Sequence, residues 1–329
     1  MGPRPGIGLP ANVTLREAER LAAAAEAAGA SGLWVTDLRR DPYLVALAAL
    51  RGTTKVTVGI DVAVAFARTP AATAQAAWDL AGASDGRFIL GLGSQVGPTL
   101  LARFGVEADR PAARLRDYVR AVRACHEAYR TGRGRYDGEF YSVRQPVFSP
   151  GADDPWPEVP IYVAGVNPVM TAVAGEVADG FAAHMFSTAR YVDEVLRPAL
   201  AKGAARADRA APPVTLPLVV GRDRASLAAY MTVYCVPSYR RVLDSSGLGE
   251  EMDAILAAIA DRRRTEAAKI LEAHVLDHLA ATTLDELPAA YARWSGHADQ
   301  LGLSVPWYGM DHATQLVLFR DILRGLERI

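Results

Sequence analysis

The stretch Ala81-Gly-Ala-Ser-Asp-Gly-Arg-Phe-Ile-Leu-Gly-Leu-Gly93 contains the repeating unit that decides the fold. A helix ends at a glycine, a tight turn follows, and a continuous apolar run then forms a buried strand. The junctions Ala28-Gly-Ala-Ser-Gly32 and Asp179-Gly180 repeat this pattern. Because strands that alternate with helices build a parallel sheet through right-handed crossovers, the pattern predicts an α/β protein.

Apolar, β-prone runs recur along the whole chain between alanine-rich helical segments. We expect about eight strands, near residues 7, 34, 60, 90, 162, 182, 217 and 303. Eight such units favour a (β/α)8 TIM barrel over two doubly wound halves. The chain has 329 residues, whereas a plain barrel has roughly 250. We therefore predict a single barrel domain, residues 1–329, with insertions at about 98–155 and 237–282.

Local signals also predict where individual helices and strands begin. Thr14 followed by Glu17 has the spacing of a capping box and predicts a helix over residues 14–28. Thr283 and Glu286 have the same spacing and predict the start of a helix that runs to Trp294. Residues 56–67 read as one long β-prone run, which predicts a single strand.

Composition excludes several classes of function. The chain has 36 Lys+Arg and 37 Asp+Glu, a net charge of −1, which argues against a nucleic-acid partner. The two cysteines, Cys125 and Cys235, fit no zinc or CxxC spacing, so we expect no metal site. We find neither a signal peptide nor an uninterrupted apolar run of about 18 residues. We therefore expect a cytoplasmic protein that acts on a small molecule rather than at a membrane.

A TIM barrel carries its active site at the carboxyl ends of its strands, which narrows the candidate residues. Asp37 ends the second predicted strand and His184 ends the sixth, and these two are the candidate catalytic residues. His184 is the candidate proton donor, and a ligand-orienting or core role is the alternative. For Asp37, the alternative is an ordinary helix N-cap.

Two loops at the same face are candidate ligand sites. Gly165, Val166 and Asn167 follow a strand and precede a helix, so their backbone N–H groups suit a phosphate, although an ordinary βα turn needs the same residues. The glycine cluster over residues 91–97 fails the dinucleotide-binding spacing, because its third glycine is one residue late and no helix is expected at once. We expect instead a loop that lets a planar ligand approach the backbone.

Several blocks of the chain resemble the bacterial luciferase-like monooxygenase superfamily, over roughly residues 1–220. They are VGIDVAVAFARTP at residues 58–70, AWDLAGASDGRFILGLGSQ at 77–95, PIYVAG at 160–165 and AGEVADG at 174–180. The phrases VAFARTP, AWDLAGASDGRFILGLGSQ and DGEFY most resemble the actinobacterial branch that uses the deazaflavin coenzyme F420. The resemblance implies a (β/α)8 barrel with insertions, with the tricyclic ring at the barrel mouth.

The resemblance also implies which residues bind the cofactor. A non-proline cis peptide in a bulge of the third strand usually supports the ring, and by position it would be Asp61–Val62, followed by Ala63. The ring would also lie against Gly93, Ser94 and Gln95, and the phosphate site would fall at residues 165–167.

The function implied is an F420-dependent oxidoreductase that moves a hydride between the deazaflavin C5 and a small, hydrophobic substrate, with reduction favoured. An FMN-dependent monooxygenase that uses O2 is the alternative, and an inactive barrel that serves as a binding protein is the second alternative. A homodimer is common in this superfamily and is expected here.

Two positions depart from the F420-dependent sugar-phosphate dehydrogenases of this superfamily. Those enzymes carry a histidine after the strand-two aspartate, where this chain has Leu38. They also carry a glutamate after the glycine loop, where this chain has Val96. Glucose 6-phosphate is therefore not the expected substrate, and the two apolar side chains suggest an apolar pocket wall.

Overall fold

Eight parallel strands form a closed barrel in the computed structural model, which describes residues 4–145 and 158–329. Each strand pairs with the next, and the last pairs with both the seventh and the first, which closes the barrel. The predicted (β/α)8 fold and all eight predicted strands are thus confirmed. The barrel strands are β1 (Gly6–Gly8), β2 (Gly32–Val35), β3 (Thr57–Ile60), β4 (Phe88–Gly93), β5 (Ile161–Ala164), β6 (Gly180–Ala182), β7 (Val214–Gly221) and β8 (Gln300–Ser304).

Helices surround the barrel and connect its strands. In chain order they are α1 (Leu15–Ala27), α2 (Pro42–Arg51), α3 (Pro70–Gly82), α4 (Gly97–Phe104), α5 (Pro111–Thr131), α6 (Pro168–Val177), α7 (Arg197–Arg206), α8 (Arg224–Met231), α9 (Arg240–Asp244), α10 (Gly249–Ala260), α11 (Arg264–Ile270), α12 (Leu287–Trp294) and α13 (His312–Gly325). Shorter helical turns are Ala65–Ala67, Ala189–Tyr191, Val192–Leu196, Thr232–Tyr234, Pro237–Tyr239, Leu271–Val275, Leu276–His278 and Leu326–Arg328. In the part of the chain that is described, none of the helices combines the length and apolar character needed to cross a bilayer.

Two large aromatic side chains occupy the interior of the barrel. Trp34 of β2 and Tyr162 of β5 meet with their ring centroids 5.9 Å apart. A Cβ atom on Gly59 would lie 2.2 Å from the Trp34 ring, and one on Gly180 would lie 2.4 Å from the Tyr162 ring. Glycines on the neighbouring strands therefore give these two aromatic rings the room to form the floor beneath the barrel mouth.

One predicted capping box is present and the other is wrong. The Thr14 hydroxyl accepts from the backbone N–H of Glu17, and the Glu17 carboxylate accepts from the N–H of Thr14, so α1 begins as predicted. At the second site, Thr283 belongs to a short strand, Ala281–Thr283, that pairs with the end of β7. Its backbone is held in that ladder, and α12 begins only at Leu287 without a side-chain cap.

Residues 56–67 do not form the single predicted strand. β3 ends at Ile60, and the chain resumes pairing over Ala63–Val64, now against the far end of β4 rather than in register with β2. A cis peptide bond between Asp61 and Val62 lies between the two pairings. The run is therefore a strand that ends in a bulge, and we call residues 61–64 the bulge.

Additional segments lie outside the eight βα units. A hairpin of Gly134–Asp137 and Ser142–Gln145 follows α5, and residues 146–155 of the predicted first insertion lie outside the described residues. Helix α5 itself packs between α3 and α6, as a helix of the outer ring does. We therefore propose that the first insertion consists of α4 and the hairpin. The second predicted insertion, 237–282, contains α9, α10 and α11.

Candidate active site

The carboxyl ends of the barrel strands form one open end of the barrel, which we call the mouth. Because side chains alternate between the two faces of a strand, the residues that point into the mouth can be counted along each strand. Gly59 faces the ring of Trp34 inside the barrel, so Asp61, two residues further along, faces the same interior. By the same count, His184 follows Gly180 on β6, and Ser304 follows Gly302 on β8. The mouth therefore brings together polar side chains from three strands that are far apart in the sequence.

The bulge fits against β4 because two glycines leave room for it. A Cβ atom on Gly91 would lie 1.9 Å from the carbonyl oxygen of Ile60. A Cβ atom on Gly93 would lie 2.7 Å from Cγ2 of Val62. The glycine cluster thus serves close packing of the bulge, and the predicted cis bond is present at Asp61–Val62.

The loop after β4 differs from its prediction in one respect. No helix was expected to follow the glycine cluster at once, yet α4 begins at Gly97. Gln95 has a positive φ of 57°, and its side-chain carbonyl accepts from the N–H of Val96 at 2.9 Å. Ser94 and Gln95 are half-buried beside the bulge, at the position where the resemblance places the ring.

Asp37 is engaged by protein groups on both carboxylate oxygens. One oxygen accepts from the backbone N–H of Val64 in the bulge at 3.1 Å. The other accepts from the guanidinium of Arg103 on α4 at 3.0 Å, and Arg103 also donates to the carbonyl of Leu38 at 2.7 Å. The side chain of Asp37 is 11% exposed. These contacts join the end of β2, the bulge and α4 through one carboxylate.

His184 lies in the mouth as a neutral imidazole. Its Nδ1 accepts from the backbone N–H of Phe186 at 3.0 Å, which assigns the single ring proton to Nε2. Burial lowers the pKa of His184 to about 4, so the ring is uncharged at neutral pH. Such a ring can donate a hydrogen bond from Nε2 but holds no imidazolium proton to give away.

An aromatic wall, which the sequence patterns did not reveal, covers one side of the mouth. Its members are His184, Tyr230, Tyr234, Tyr239 and Trp307. The ring centroids of Tyr234 and Tyr239 lie 4.7 and 4.9 Å from that of His184. The only sequence signal was the i,i+4 spacing of Tyr230 and Tyr234 after β7, which by itself is typical of an ordinary core helix.

Hydrogen bonds fix this wall. The Trp307 Nε1–H donates to the hydroxyl of Tyr234 at 2.9 Å, and the hydroxyls of Tyr234 and Tyr230 lie 2.9 Å apart. The Tyr230 hydroxyl donates to the sulfur of Met185 at 3.4 Å. Trp307 therefore donates to Tyr234, Tyr234 to Tyr230 and Tyr230 to Met185, which is the last acceptor. The wall is therefore an aromatic surface in which Trp307, Tyr234 and Tyr230 are held together by hydrogen bonds.

The loop at the amino end of α6 is built as an N-terminal cap. The Asn167 side chain accepts from the N–H of Met170 at 2.9 Å, and Pro168 is the first helical residue. The Val166 carbonyl accepts from the Tyr191 hydroxyl at 2.7 Å, which fixes the loop from the other side. Pro168 has no N–H and those of Met170 and Thr171 are bonded to Asn167, so the N–H of Val169 and the helix dipole are what the first turn offers an anion.

Strand order places these parts along one arc of the mouth. β3, β4, β5 and β6 are consecutive neighbours, so the bulge, the loop at 93–95, the loop at 165–167 and His184 follow one another around the rim. The arrangement offers a backbone surface for a planar ring, a helix N-terminus for its phosphate, and an aromatic wall beside them.

Comparisons with known proteins agree with this architecture. The sequence model of the family described as luciferase-like monooxygenase matches residues 2–301. An uncharacterized protein of Mycobacterium tuberculosis is 39% identical over 251 residues, which are 72% of this chain and 74% of that protein. The F420-dependent glucose-6-phosphate dehydrogenase of Mycobacterium avium is 33% identical over 210 residues, which are 59% of this chain and 60% of that enzyme.

Solved structures with the same fold include proteins that use either cofactor. The coenzyme F420-dependent tetrahydromethanopterin reductase of Methanopyrus kandleri superposes with a TM-score of 0.76 at 20% identity, over 99% of this chain and 98% of that one. The oxygenating component of 3,6-diketocamphane monooxygenase from Pseudomonas putida, in complex with FMN, superposes with a TM-score of 0.65 at 14% identity, with the same coverage of 99% and 98%.

Proposed function

The chain belongs to the luciferase-like monooxygenase family, and on this premise we propose that it is an oxidoreductase dependent on the deazaflavin coenzyme F420. The observation that carries the proposal is the bulge at Asp61–Val62, which lies against two glycines of β4, the neighbour of the strand that leads into α6. The similarity to F420-dependent dehydrogenases supports this cofactor over FMN.

The residues present fit such a cofactor. A flat ring needs backbone at close range, and Gly91 and Gly93 let the bulge pack against β4, which fixes the position of its backbone. A phosphorylated tail needs donors, and we propose the backbone N–H groups of residues 165–167 and of Val169, with the dipole of α6. With a net charge of −1, the chain offers no general basic surface, so these placed donors would bind the phosphate.

When bound, the reduced deazaflavin supplies a hydride at its C5, and the protein positions the ring and the substrate. We propose that the bulge and Gly93, Ser94 and Gln95 support the ring, while Gly165, Val166 and Asn167 hold the phosphate. His184 would orient the substrate by donating a hydrogen bond from Nε2 rather than by giving up a proton. Asp37 would act as a positioning residue, because both of its oxygens are occupied by Arg103 and Val64.

We further propose a small, hydrophobic substrate that is reduced. Val96 and Leu101 are 42% and 48% exposed at the rim formed by α4, where an apolar ligand would cover them. Leu38 and Val96 replace the polar residues expected of a sugar-phosphate dehydrogenase, so glucose 6-phosphate is not the proposed substrate. A cytoplasmic location and a homodimeric state stay predictions.

Equilibrium titration of the cofactor-free protein with F420 and with FMN tests the proposal, with the fluorescence of each cofactor as the signal. We expect saturable binding of F420 and much weaker binding of FMN. Tight binding of FMN alone would favour the oxygen-using alternative, and no binding of either cofactor would favour the barrel as a binding protein.

A further inference from the structure

Two members of the aromatic wall carry polar atoms that no protein group contacts. The polar atoms of Trp307, Tyr234 and Tyr230 are bonded to one another. By contrast, nothing among residues 4–145 and 158–329 bonds to the Nε2–H of His184 or to the hydroxyl of Tyr239. Both side chains are half-buried, and polar groups in such surroundings normally find a hydrogen-bond partner. These two atoms are therefore the ones that a ligand at the wall would meet.

His184 and Tyr239 are direct neighbours. Their ring centroids lie 4.9 Å apart, and their planes are inclined at 58°. The Phe186 ring meets Tyr239 edge-on at 5.8 Å, and the backbone N–H of Phe186 donates to Nδ1 of His184. Tyr234 packs against both rings, with centroid distances of 4.7 Å to His184 and 6.1 Å to Tyr239. Shared neighbours thus hold the two rings together, so that their unpaired atoms can meet one ligand.

The closed barrel places this pair across the mouth from the proposed ring site. His184 ends β6, and Tyr239 follows α8, the helix after β7. β7 is the fourth strand from β3 in both directions around the barrel. A ring with one face on the Asp61–Val62 peptide therefore turns its other face toward the side of the mouth where the pair lies. A substrate that receives a hydride from that open face would lie between the ring and the pair.

The pair offers hydrogen-bond donors without charge. The single ring proton of His184 is on Nε2, so this atom can only donate. Burial raises the pKa of Tyr239 well above its ordinary value, so its hydroxyl keeps its proton. In the part of the chain that is described, no charged side chain shifts the pKa of either group. An anion would lie here without a compensating cation, whereas a neutral carbonyl oxygen has two lone pairs for two donors.

We propose that His184 and Tyr239 together bind the carbonyl oxygen of the substrate, which makes the substrate a neutral ketone or enone. This proposal rests on the function proposed above and adds a second donor and a substrate class to it. The Nε2–H of His184 and the hydroxyl of Tyr239 donate to the two lone pairs of that oxygen. The rings of Phe186 and Tyr234 provide apolar surface beside the pair for the carbon skeleton.

The same two donors favour reduction. When a hydride from C5 of the reduced cofactor adds to the carbonyl carbon, or to the β-carbon of an enone, the π bond breaks and an electron pair moves onto the oxygen. His184 and Tyr239 stabilise this charge through their hydrogen bonds and keep their own protons. The oxygen of a ketone, or the α-carbon of an enone, then takes a proton from solvent. One proton leaves the oxidised cofactor for solvent, so hydrogen and charge balance.

The first test needs no cofactor. NMR titration of the cofactor-free protein gives its affinity for cyclohexenone, a small neutral enone, and for cyclohexene, which lacks the oxygen. Tyr239→Phe removes one donor, so it should weaken cyclohexenone binding by about threefold to tenfold and change cyclohexene binding by less than about 1.5-fold. Tyr308→Phe is the control at an exposed tyrosine and should change neither affinity.

Two outcomes of this titration would overturn the proposal. The first is an equal effect of Tyr239→Phe on both ligands, or no effect on either, because the oxygen would then not meet Tyr239. The second is the absence of cyclohexenone binding by the wild-type protein both without and with F420. Because Tyr239→Phe breaks no hydrogen bond among the described residues, it should fold as the wild type does.

The carbonyl stretch of bound cyclohexenone reports on the donors directly. Infrared difference spectra with and without isotope labelling of the carbonyl carbon isolate this band. We expect its frequency to be lowest in wild type, higher in Tyr239→Phe and in His184→Asn, and highest in the double variant. His184→Asn retains a side-chain acceptor for the N–H of Phe186 and removes the donor at Nε2. Equal frequencies in wild type and Tyr239→Phe would overturn the proposal, even if His184→Asn does not fold.

Turnover separates this proposal from the proposed function. With F420-loaded enzyme and cyclohexenone, Tyr239→Phe should lower kcat by about 10-fold to 100-fold and keep F420 affinity within about twofold. A kcat within about twofold of wild type at full cofactor occupancy would overturn the stabilising role of Tyr239. A chain that binds no F420 contradicts the proposed function, whereas the titration and the infrared spectra of the cofactor-free protein still decide whether the pair binds a carbonyl oxygen.

Discussion

The carboxylate of Asp37 accepts a hydrogen bond from the guanidinium of Arg103 at 3.0 Å, across 66 residues of sequence. Because the other oxygen of Asp37 accepts from Val64, the pair joins α4 to the bulge that we propose as the ring site. A residue predicted from the sequence to be catalytic is thereby placed to hold the proposed ring site in position.

Breaking this pair should affect binding of the cofactor more than the chemistry. Asp37→Asn keeps the shape but weakens the charge-assisted contact with Arg103, so we expect F420 affinity to fall by about tenfold, about 1.4 kcal/mol. Titration of cofactor fluorescence measures the effect, and Asp321→Asn, which breaks the surface ion pair with Arg324, is the matched control. Loss of turnover with unchanged F420 affinity would contradict this prediction and would indicate that Asp37 is a catalytic residue.

The close packing between β4 and the bulge predicts a sharp contrast between two glycines of one loop. Gly93→Ala places a methyl group 2.7 Å from Cγ2 of Val62, which should destabilise the protein by about 1–3 kcal/mol and weaken F420 binding. Gly97→Ala meets nothing within 4 Å and should leave both properties unchanged. Chemical denaturation and cofactor titration measure the two effects. Equal effects of both substitutions would contradict the packing argument.

Asp61 should lower the stability of the cofactor-free protein in a pH-dependent way. Its folded pKa is raised from 3.8 to about 6, so folding penalises the ionised form. This penalty is absent below pH 3.8 and present in full above about 6. Asp61→Asn should therefore raise the free energy of unfolding at pH 8, by on the order of 2 kcal/mol, and by far less at pH 4. Urea denaturation at the two pH values measures this, and a destabilising effect at pH 8 would contradict it.

The aromatic wall predicts a stability effect at Tyr234. Tyr234→Phe leaves the half-buried Trp307 Nε1–H without its acceptor, so the free energy of unfolding should fall by about 1–3 kcal/mol. Cofactor affinity should be unchanged, because the wall lies beside the proposed ring surface rather than in it. Tyr308→Phe is the control, since Tyr308 is 48% exposed. A fall in stability no larger than that of the control would show that the hydrogen-bonded chain contributes little.

The eight strands and their order could be predicted from the sequence because buried parallel strands are continuous apolar runs closed by turn glycines. Features that depend on single residues were harder to predict from the sequence. The bulge interrupts a β-prone run in which Asp61 is the only charged residue, and Thr283 lies in a ladder with β7 that no local signal encodes. The position of the cis bond at Asp61–Val62 came only from the resemblance to a family.

The chemistry of the candidate site depended even more on tertiary surroundings. His184 and Asp61 are both titratable residues at strand ends, and their sequence contexts do not distinguish them. The N–H of Phe186 fixes the neutral tautomer of His184, and burial without a cation raises the pKa of Asp61. The contact between Phe186 and His184 is local, but the burial of His184 and Asp61 arises from packing between segments, which local pattern cannot supply.

A crystal structure of the protein with F420 bound tests the central claim most directly. We expect one face of the deazaflavin ring to lie against the Asp61–Val62 peptide and the phosphate of F420 to lie at residues 165–167. A ring bound elsewhere, or a phosphate held away from the amino end of α6, would contradict the proposed cofactor site.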